Sequence, residues 1–124
     1  MIDFENAKFL KLRRVKDTDF EALLQPMFVE DEGIVSTYRT VRDGVVFTNR
    51  RIIAINVQGV TGKKKAITSL PYRKIQTYAI ETSGVLDLDS ELKVTFSGMG
   101  TMTFEFTANA NVAEICQYIS YCTL

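Results

Sequence analysis

Between residues 34 and 106 the chain breaks into seven short runs rich in β-branched and aromatic residues, with turn-forming residues at intervals of about 8 to 12 positions. Runs of that length and spacing are too short for amphipathic helices, and they predict a small antiparallel sandwich or barrel. The predicted strands cover 34–41, 45–48, 52–57, 65–70, 75–81, 91–96 and 101–106. Asp43-Gly44, Asn49-Arg50, residues 58–64, Pro71-Tyr72, residues 82–90 and Gly98-Met99-Gly100 separate them. In the last two strands alternation assigns the faces. Leu92, Val94 and Phe96 point in while Lys93 and Thr95 point out; Met102, Phe104 and Phe106 point in while Thr103 and Glu105 point out.

Helical signals flank this region. Thr18 and Glu21 are spaced as a capping box, Phe20, Leu23 and Leu24 supply an apolar face, and Pro26 ends the segment. Near the C-terminus, Asn109 or Asn111 caps a helix whose stripe is Val112, Ile115, Cys116, Ile119 and Cys122, with Glu114 in capping-box position to Asn111. Such a stripe can plug the open end of a curled sheet. Phe4, Ala7, Phe9, Leu10 and Leu12 fit a helical period poorly, so residues 1–16 are read as an N-terminal extension, helical if ordered, before a domain over 17–124. The expected core is Phe47, Ile53, Ile55, Leu92, Val94, Phe96, Phe104 and Ile115.

A chain of 124 residues buries enough surface to fold as one domain without metal or disulfide staples. Cys116 and Cys122, about 9 Å apart along a helix, are too distant to pair and are expected as buried thiols. The acidic residues at the start and the shortness of the longest apolar run, residues 52–55, predict a cytoplasmic chain.

The residue types exclude much chemistry. No histidine is present, which removes His-based acid–base catalysis, Ser-His-Asp and Cys-His nucleophiles and His-ligated metals. Gly59-Val60-Thr61-Gly62-Lys63-Lys64 looks like a phosphate-binding loop, but it has two residues between its glycines instead of four, no Ser or Thr after the lysine, and a strand behind it. Asp87-Leu88-Asp89-Ser90-Glu91 alternates carboxylates, yet a calcium loop starting at Asp87 would need Gly at Leu92 and Glu at Gly98. Glu81, Asp87 and Glu91 could pair as glycosidase carboxylates, but nothing in the sequence sets their separation. Lys63-Lys64-Lys65 and Arg73-Lys74 lie near Tyr72 and Tyr78, although zero net charge and the lack of an RNP-like aromatic cluster argue against nucleic acid. No enzyme activity, cofactor or metal is expected.

Charge is unevenly distributed. Residues 44–80 hold seven bases (Arg50, Arg51, Lys63, Lys64, Lys65, Arg73, Lys74) and no acid, while residues 81–124 hold six acids against Lys93, so the two segments stand at +7 and −5. The simpler expectation is that they pair as neighbouring strands and neutralise each other; the alternative is a bipolar surface.

Several stretches together carry a resemblance: Val46-Phe47-Thr48-Asn49-Arg50-Arg51-Ile52-Ile53, Gln58-Gly59-Val60-Thr61-Gly62-Lys63-Lys64, Ser69-Leu70-Pro71-Tyr72-Arg73-Lys74-Ile75, and Glu81-Thr82-Ser83-Gly84 leading to Leu86-Asp87-Leu88-Asp89-Ser90-Glu91-Leu92-Lys93. In these the chain resembles single-domain bacterial pleckstrin-homology (PH-like) proteins. The resemblance implies a mainly β fold: a seven-stranded antiparallel curled sheet or partly open barrel, capped by a C-terminal helix. It also implies a non-enzymatic, cytoplasmic scaffold that forms a cyclic homo-oligomer, a pentamer being the expected ring, and presents a polar surface to a protein partner. Eukaryotic relatives bind phosphoinositides through a long basic loop. The corresponding Arg42-Asp43-Gly44 is short and acidic, so that site is not expected here. Candidate interaction residues are Arg50, Arg51, Lys63, Lys64, Arg73 and Lys74. The alternative function is peripheral association with anionic lipid through the basic central segment; against it, no amphipathic segment sets a basic face opposite aromatic residues.

Overall fold

The computed structural model describes residues 8–82 and 89–124. They form eight strands, β1 (Lys8–Val15), β2 (Ile34–Arg39), β3 (Gly44–Thr48), β4 (Arg51–Gln58), β5 (Lys64–Pro71), β6 (Ile75–Thr82), β7 (Ser90–Phe96) and β8 (Gly100–Phe106), and two α-helices, α1 (Thr18–Leu24) and α2 (Val112–Thr123). The seven predicted strands are β2 to β8, each within two residues of its expected limits. Their order in one sheet is β5-β4-β3-β2-β1-β8-β7-β6. Neighbours run antiparallel except β1 and β8, which are parallel.

The sheet is open, not a closed barrel: β5 and β6, consecutive in the chain, are its two edges and are joined through a 3-10 turn, Tyr72–Lys74. All eight strands nevertheless contribute to one apolar cluster, from Phe9 and Leu12 through Tyr38, Phe47, Ile52 and Leu70 to Tyr78, Leu92 and Phe104. Eight strands can share one core only if the sheet curls around it. Helix α2 fills the opening, burying Val112, Ile115 and Ile119, while Tyr118 packs edge-on to Tyr72 at 5.8 Å and Ser120 meets the Tyr78 hydroxyl at 2.6 Å.

The eighth strand corrects the reading of residues 1–16, because from Lys8 onward this extension lies inside the sheet between β2 and β8. Its apolar spacing fits neither period for a local reason. Lys11 has φ of +58° and the register with β8 shifts between Phe9 and Leu12, so these residues, three apart, both enter the core.

Capping differs between the helices. Asn111 accepts a hydrogen bond from the Glu114 backbone N–H at 3.2 Å, and its amide donates to the Glu114 carboxylate. The capping box expected at Thr18 does not form: Thr18 is already helical and Asp17, in the cap position, makes no side-chain cap bond. Helix α1 is held instead by packing, with Phe20 and Leu24 buried against Val46, Ile53 and Ile55 on the outer face of β3 and β4. A Cβ on Gly44 would stand 2.4 Å from the Phe20 ring, so the absence of a side chain there lets the helix seat. Arg39 completes the dock over Phe20, 5.1 Å from the ring centre, with Asp19 at 3.6 Å.

Candidate interaction surface

The six candidate bases do not form one patch. Arg50 and Arg51 lie at the β3–β4 turn, where the Thr48 hydroxyl accepts from both of their backbone N–H groups at 3.0 Å. This turn aims the two guanidinium groups at Asp31 and Glu32, upstream of β2. Arg50 forms a two-bonded pair with Asp31 at the surface. Arg51 grips Glu32 through Nε and Nη2, both at 2.8 Å, and also reaches the Ser69 hydroxyl and the Met27 carbonyl. The Glu32 carboxylate is fully enclosed and additionally accepts from the Thr48 hydroxyl at 2.7 Å and the Val29 N–H at 3.2 Å.

Burial by itself would raise the Glu32 pKa. The donors from Arg51, Thr48 and Val29 more than offset it and hold the carboxyl below its ordinary range. Hydrogen bonding to Arg50 likewise lowers Asp31 and raises Arg50. Asn49 adds two bonds at 2.8 Å, to the Gly33 N–H and the Asp31 carbonyl. Arg50 and Arg51 are therefore committed within the molecule, stapling the α1–β2 connection to the β3–β4 turn. Sequence reading missed Asp31 and Glu32, which lie in an irregular segment where no periodicity marks them.

The other candidates are exposed and apart. Lys63 lies in the β4–β5 turn and Lys64 is the first residue of β5. In register, Gln58 faces Lys64 and Arg51 faces Pro71, which sets the two ends of this hairpin about 23 Å apart at 3.3 Å per residue. Arg73 and Lys74 occupy the 3-10 turn, where Arg73 shares a shallow cleft with Asn49, Arg50, Tyr72 and Cys122.

The basic and acidic segments meet as neighbouring strands through β6, whose residues 75–80 carry no charge and pair with β7. The bases lie on β4, β5 and the turns beside them, and among the described residues no ion pair joins the two segments, so the pairing does not neutralise them. The acidic side is partly neutralised internally, Lys93 lying 3.0 Å from Glu81 and 4.0 Å from Glu91. Asp87, with Leu86 and Leu88, falls outside the described residues; among those described, no three potential metal ligands converge.

A groove of about 280 Å³, partly open to solvent, runs between β2 and α2. Val35, Tyr38, Phe47, Ile115, Tyr118 and Tyr121 line it, with Arg14 and Glu114 at the rim. Burial raises the Tyr38 hydroxyl and pushes Tyr118 up to about 12. Cys116 and Cys122 are free and half-buried, the former pushed up to about 11 by burial. Neither cysteine lines the groove, and its Tyr38 and Tyr118 hydroxyls are neutral at pH 7, so it supplies apolar contact without an ionised nucleophile.

An open curled sheet plugged by a C-terminal helix, with its polar groups committed to structure and surface, defines a PH-like domain. The chain belongs to the bacterial PH domain family, which matches residues 3–123. It is 44% identical over 94 residues to the uncharacterized protein YjqA of Bacillus subtilis, covering 74% of this chain and 75% of that one, and 34% identical over 92 residues to YozO of the same organism, covering 74% and 79%. A Shewanella loihica protein with a pleckstrin-homology domain superposes with a TM-score of 0.81 at 35% identity, over 94% of this chain and 100% of its own. The pleckstrin homology domain from Shewanella amazonensis gives 0.68 at 36% identity, over 90% and 91%.

Proposed function

We propose that the protein is a non-enzymatic interaction module that assembles head to tail into a homo-oligomeric ring and presents a polar surface to a protein partner. The observation that supports this is the pair of open sheet edges. Strands β5 and β6 are each eight residues long, and on the outer side neither has a ladder among the described residues. An edge of that length is a template for a strand of another chain. The two edges differ in charge, β5 carrying Lys64 and Lys65 and β6 carrying Glu81, which favours an unlike, head-to-tail contact over a two-fold one. Repetition of that contact closes a ring when the rotation allows, and Arg73 and Lys74 remain exposed for a partner. The absence of histidine and the raised thiol and phenol pKa values support a non-catalytic role.

Sedimentation velocity at micromolar concentration tests the assembly, with a species of several 14.0 kDa subunits expected and five the anticipated number. A clean monomer overturns it. Lys65→Glu is expected to weaken the assembly and Glu81→Lys in the same chain to restore it.

A further inference from the structure

Strand β2 is interior to the sheet, yet part of one side of it has no neighbour. Its pairing with β1 covers only Thr37, Tyr38 and Arg39, because β1 ends at Val15 and the chain turns there into α1, with Asp19 N–H bonded to the Lys16 carbonyl at 3.0 Å. On the other side Gly33 meets Asn49 through both its N–H and its carbonyl, so the segment entering β2 is drawn toward the β3–β4 turn. Among the described residues no strand therefore lies against the β1 side of Ile34, Val35 and Ser36, a stretch of about 10 Å at 3.3 Å per residue. Val35 is also the extra residue of a bulge: Ile34 faces Thr48 and Ser36 faces Phe47, which are consecutive in β3.

This open edge borders the groove beside α2. Tyr118 and Tyr121 stand across from it, their ring centres 6.5 Å apart, and the buried Tyr38 and Phe47, edge to face at 5.7 Å, form the floor. Tyr121 is 83% exposed, a large ring held at the mouth. Charge at the rim is uneven. Arg14 lies over the Tyr38 ring, 5.7 Å from its centre, and has Asp17 at 3.7 Å, whereas Glu114 takes part in no ion pair among the described residues and its carboxylate accepts from the Asn111 amide at 3.2 Å. The unbalanced charge is negative.

We propose that an extended segment of a partner protein adds as a strand beside residues 34–36, in the groove between β2 and α2, and carries a bulky apolar residue with a Lys or Arg within two positions of it. The open edge supplies backbone partners, the aromatic floor takes the apolar side chain, and Glu114 takes the base. A partner helix fits less well, since one turn about 10 Å across and 5.4 Å long fills about 420 Å³, more than the groove holds, and brings no free backbone groups to the edge. A small apolar ligand would fill the floor and leave the edge unpaired. The inference goes beyond the ring, whose contacts were assigned to β5 and β6, neither of which lines this groove.

The full chain is tested with a phage-displayed library of random twelve-residue peptides, and an enriched peptide is then synthesised and labelled for titration. Enriched sequences are expected to share a β-branched or aromatic residue with a nearby base. Tyr121→Ala is expected to weaken the peptide about tenfold, and Glu114→Gln, which keeps a capping-box residue, about threefold with a flatter salt dependence. N-methylation of the peptide at two successive positions reads the backbone contact without touching the protein: one position is expected to cost tenfold or more and the next little, because alternate N–H groups of an added strand face β2. No enrichment over the bare support overturns the proposal. So does binding unchanged by Tyr121→Ala, or a peptide that tolerates both N-methyl groups. Sedimentation of Tyr121→Ala separates the groove from the ring: lost peptide binding at wild-type mass supports the proposal, and lost binding with a changed mass assigns the groove to contacts between copies and overturns it. A wild-type monomer that still binds the peptide overturns the ring alone.

Discussion

The β3–β4 and β7–β8 hairpins are built from the same kind of strand but occupy different environments, and the contrast explains their sequences. In β7 the residues alternate strictly, with Leu92, Val94 and Phe96 buried and Glu91, Lys93 and Thr95 at the outer surface. In β4 the run Ile52-Ile53-Ala54-Ile55 is buried without a break. Ile52 and Ala54 face the main core, and Ile53 and Ile55 face Phe20 and Leu24 of α1. A seven-residue helix without a side-chain cap bond thus turns half of the sheet into a two-sided layer. Unbroken apolar runs in a small β protein therefore point to a covering element elsewhere in the chain.

The contrast can be broken at its strongest point by truncating one large residue on each face. Phe104→Ala, which loses stacking on Phe9 at 5.8 Å, is expected to cost about 3 to 5 kcal/mol. Ile53→Ala, on the face beneath α1, is expected to cost about 2 to 4 kcal/mol in urea denaturation. A loss below about 0.5 kcal/mol at Ile53, the size usual for surface positions, would mean that α1 does not cover β4 in solution.

A smaller effect tests the staple that brings the α1 region to the hairpin. Arg51→Met leaves the enclosed Glu32 carboxylate without its main donor and is expected to cost about 1.5 to 3 kcal/mol near neutral pH. The folded Glu32 pKa is depressed, so its contribution is present above the unfolded Glu value, about 4.3, and is lost as pH falls through the lower folded value. The urea midpoint of the wild type is therefore expected to fall more steeply than that of Arg51→Met between pH 6 and pH 3. Parallel acid limbs would show that the pair does not couple to folding. The smallest effect belongs to the one-sided hairpin: Thr95→Ala, on the outer face of β7, is expected to shift stability by no more than about 0.5 kcal/mol.

These comparisons also show which parts of the molecule could be read in advance. Alternation at 91–96 and 101–106 places Phe96 and Phe104 inside with no knowledge of neighbours, and Asn111 with Glu114 marks the start of α2 because capping is local chemistry. The bulge at Lys11 hid β1, since one left-handed residue shifts the side-chain period where the strand meets a parallel partner. Of the interaction surface, the exposure of Lys63, Lys64, Arg73 and Lys74 was legible. The engagement of Arg50 and Arg51 was not, because Asp31 and Glu32 reach them across about twenty residues of chain.

The sequence by itself determined the seven strands, the inward faces of β7 and β8, the closing helix and the lack of histidine chemistry, because each depends on residue type and short-range spacing. Tertiary structure alone decided which side of the sheet α1 covers, which arginines are spent as staples, and where an interior strand keeps an open edge beside the closing helix. Those outcomes depend on how a curled sheet brings distant segments into contact, and on burial and charge pairing that exist only once it has folded.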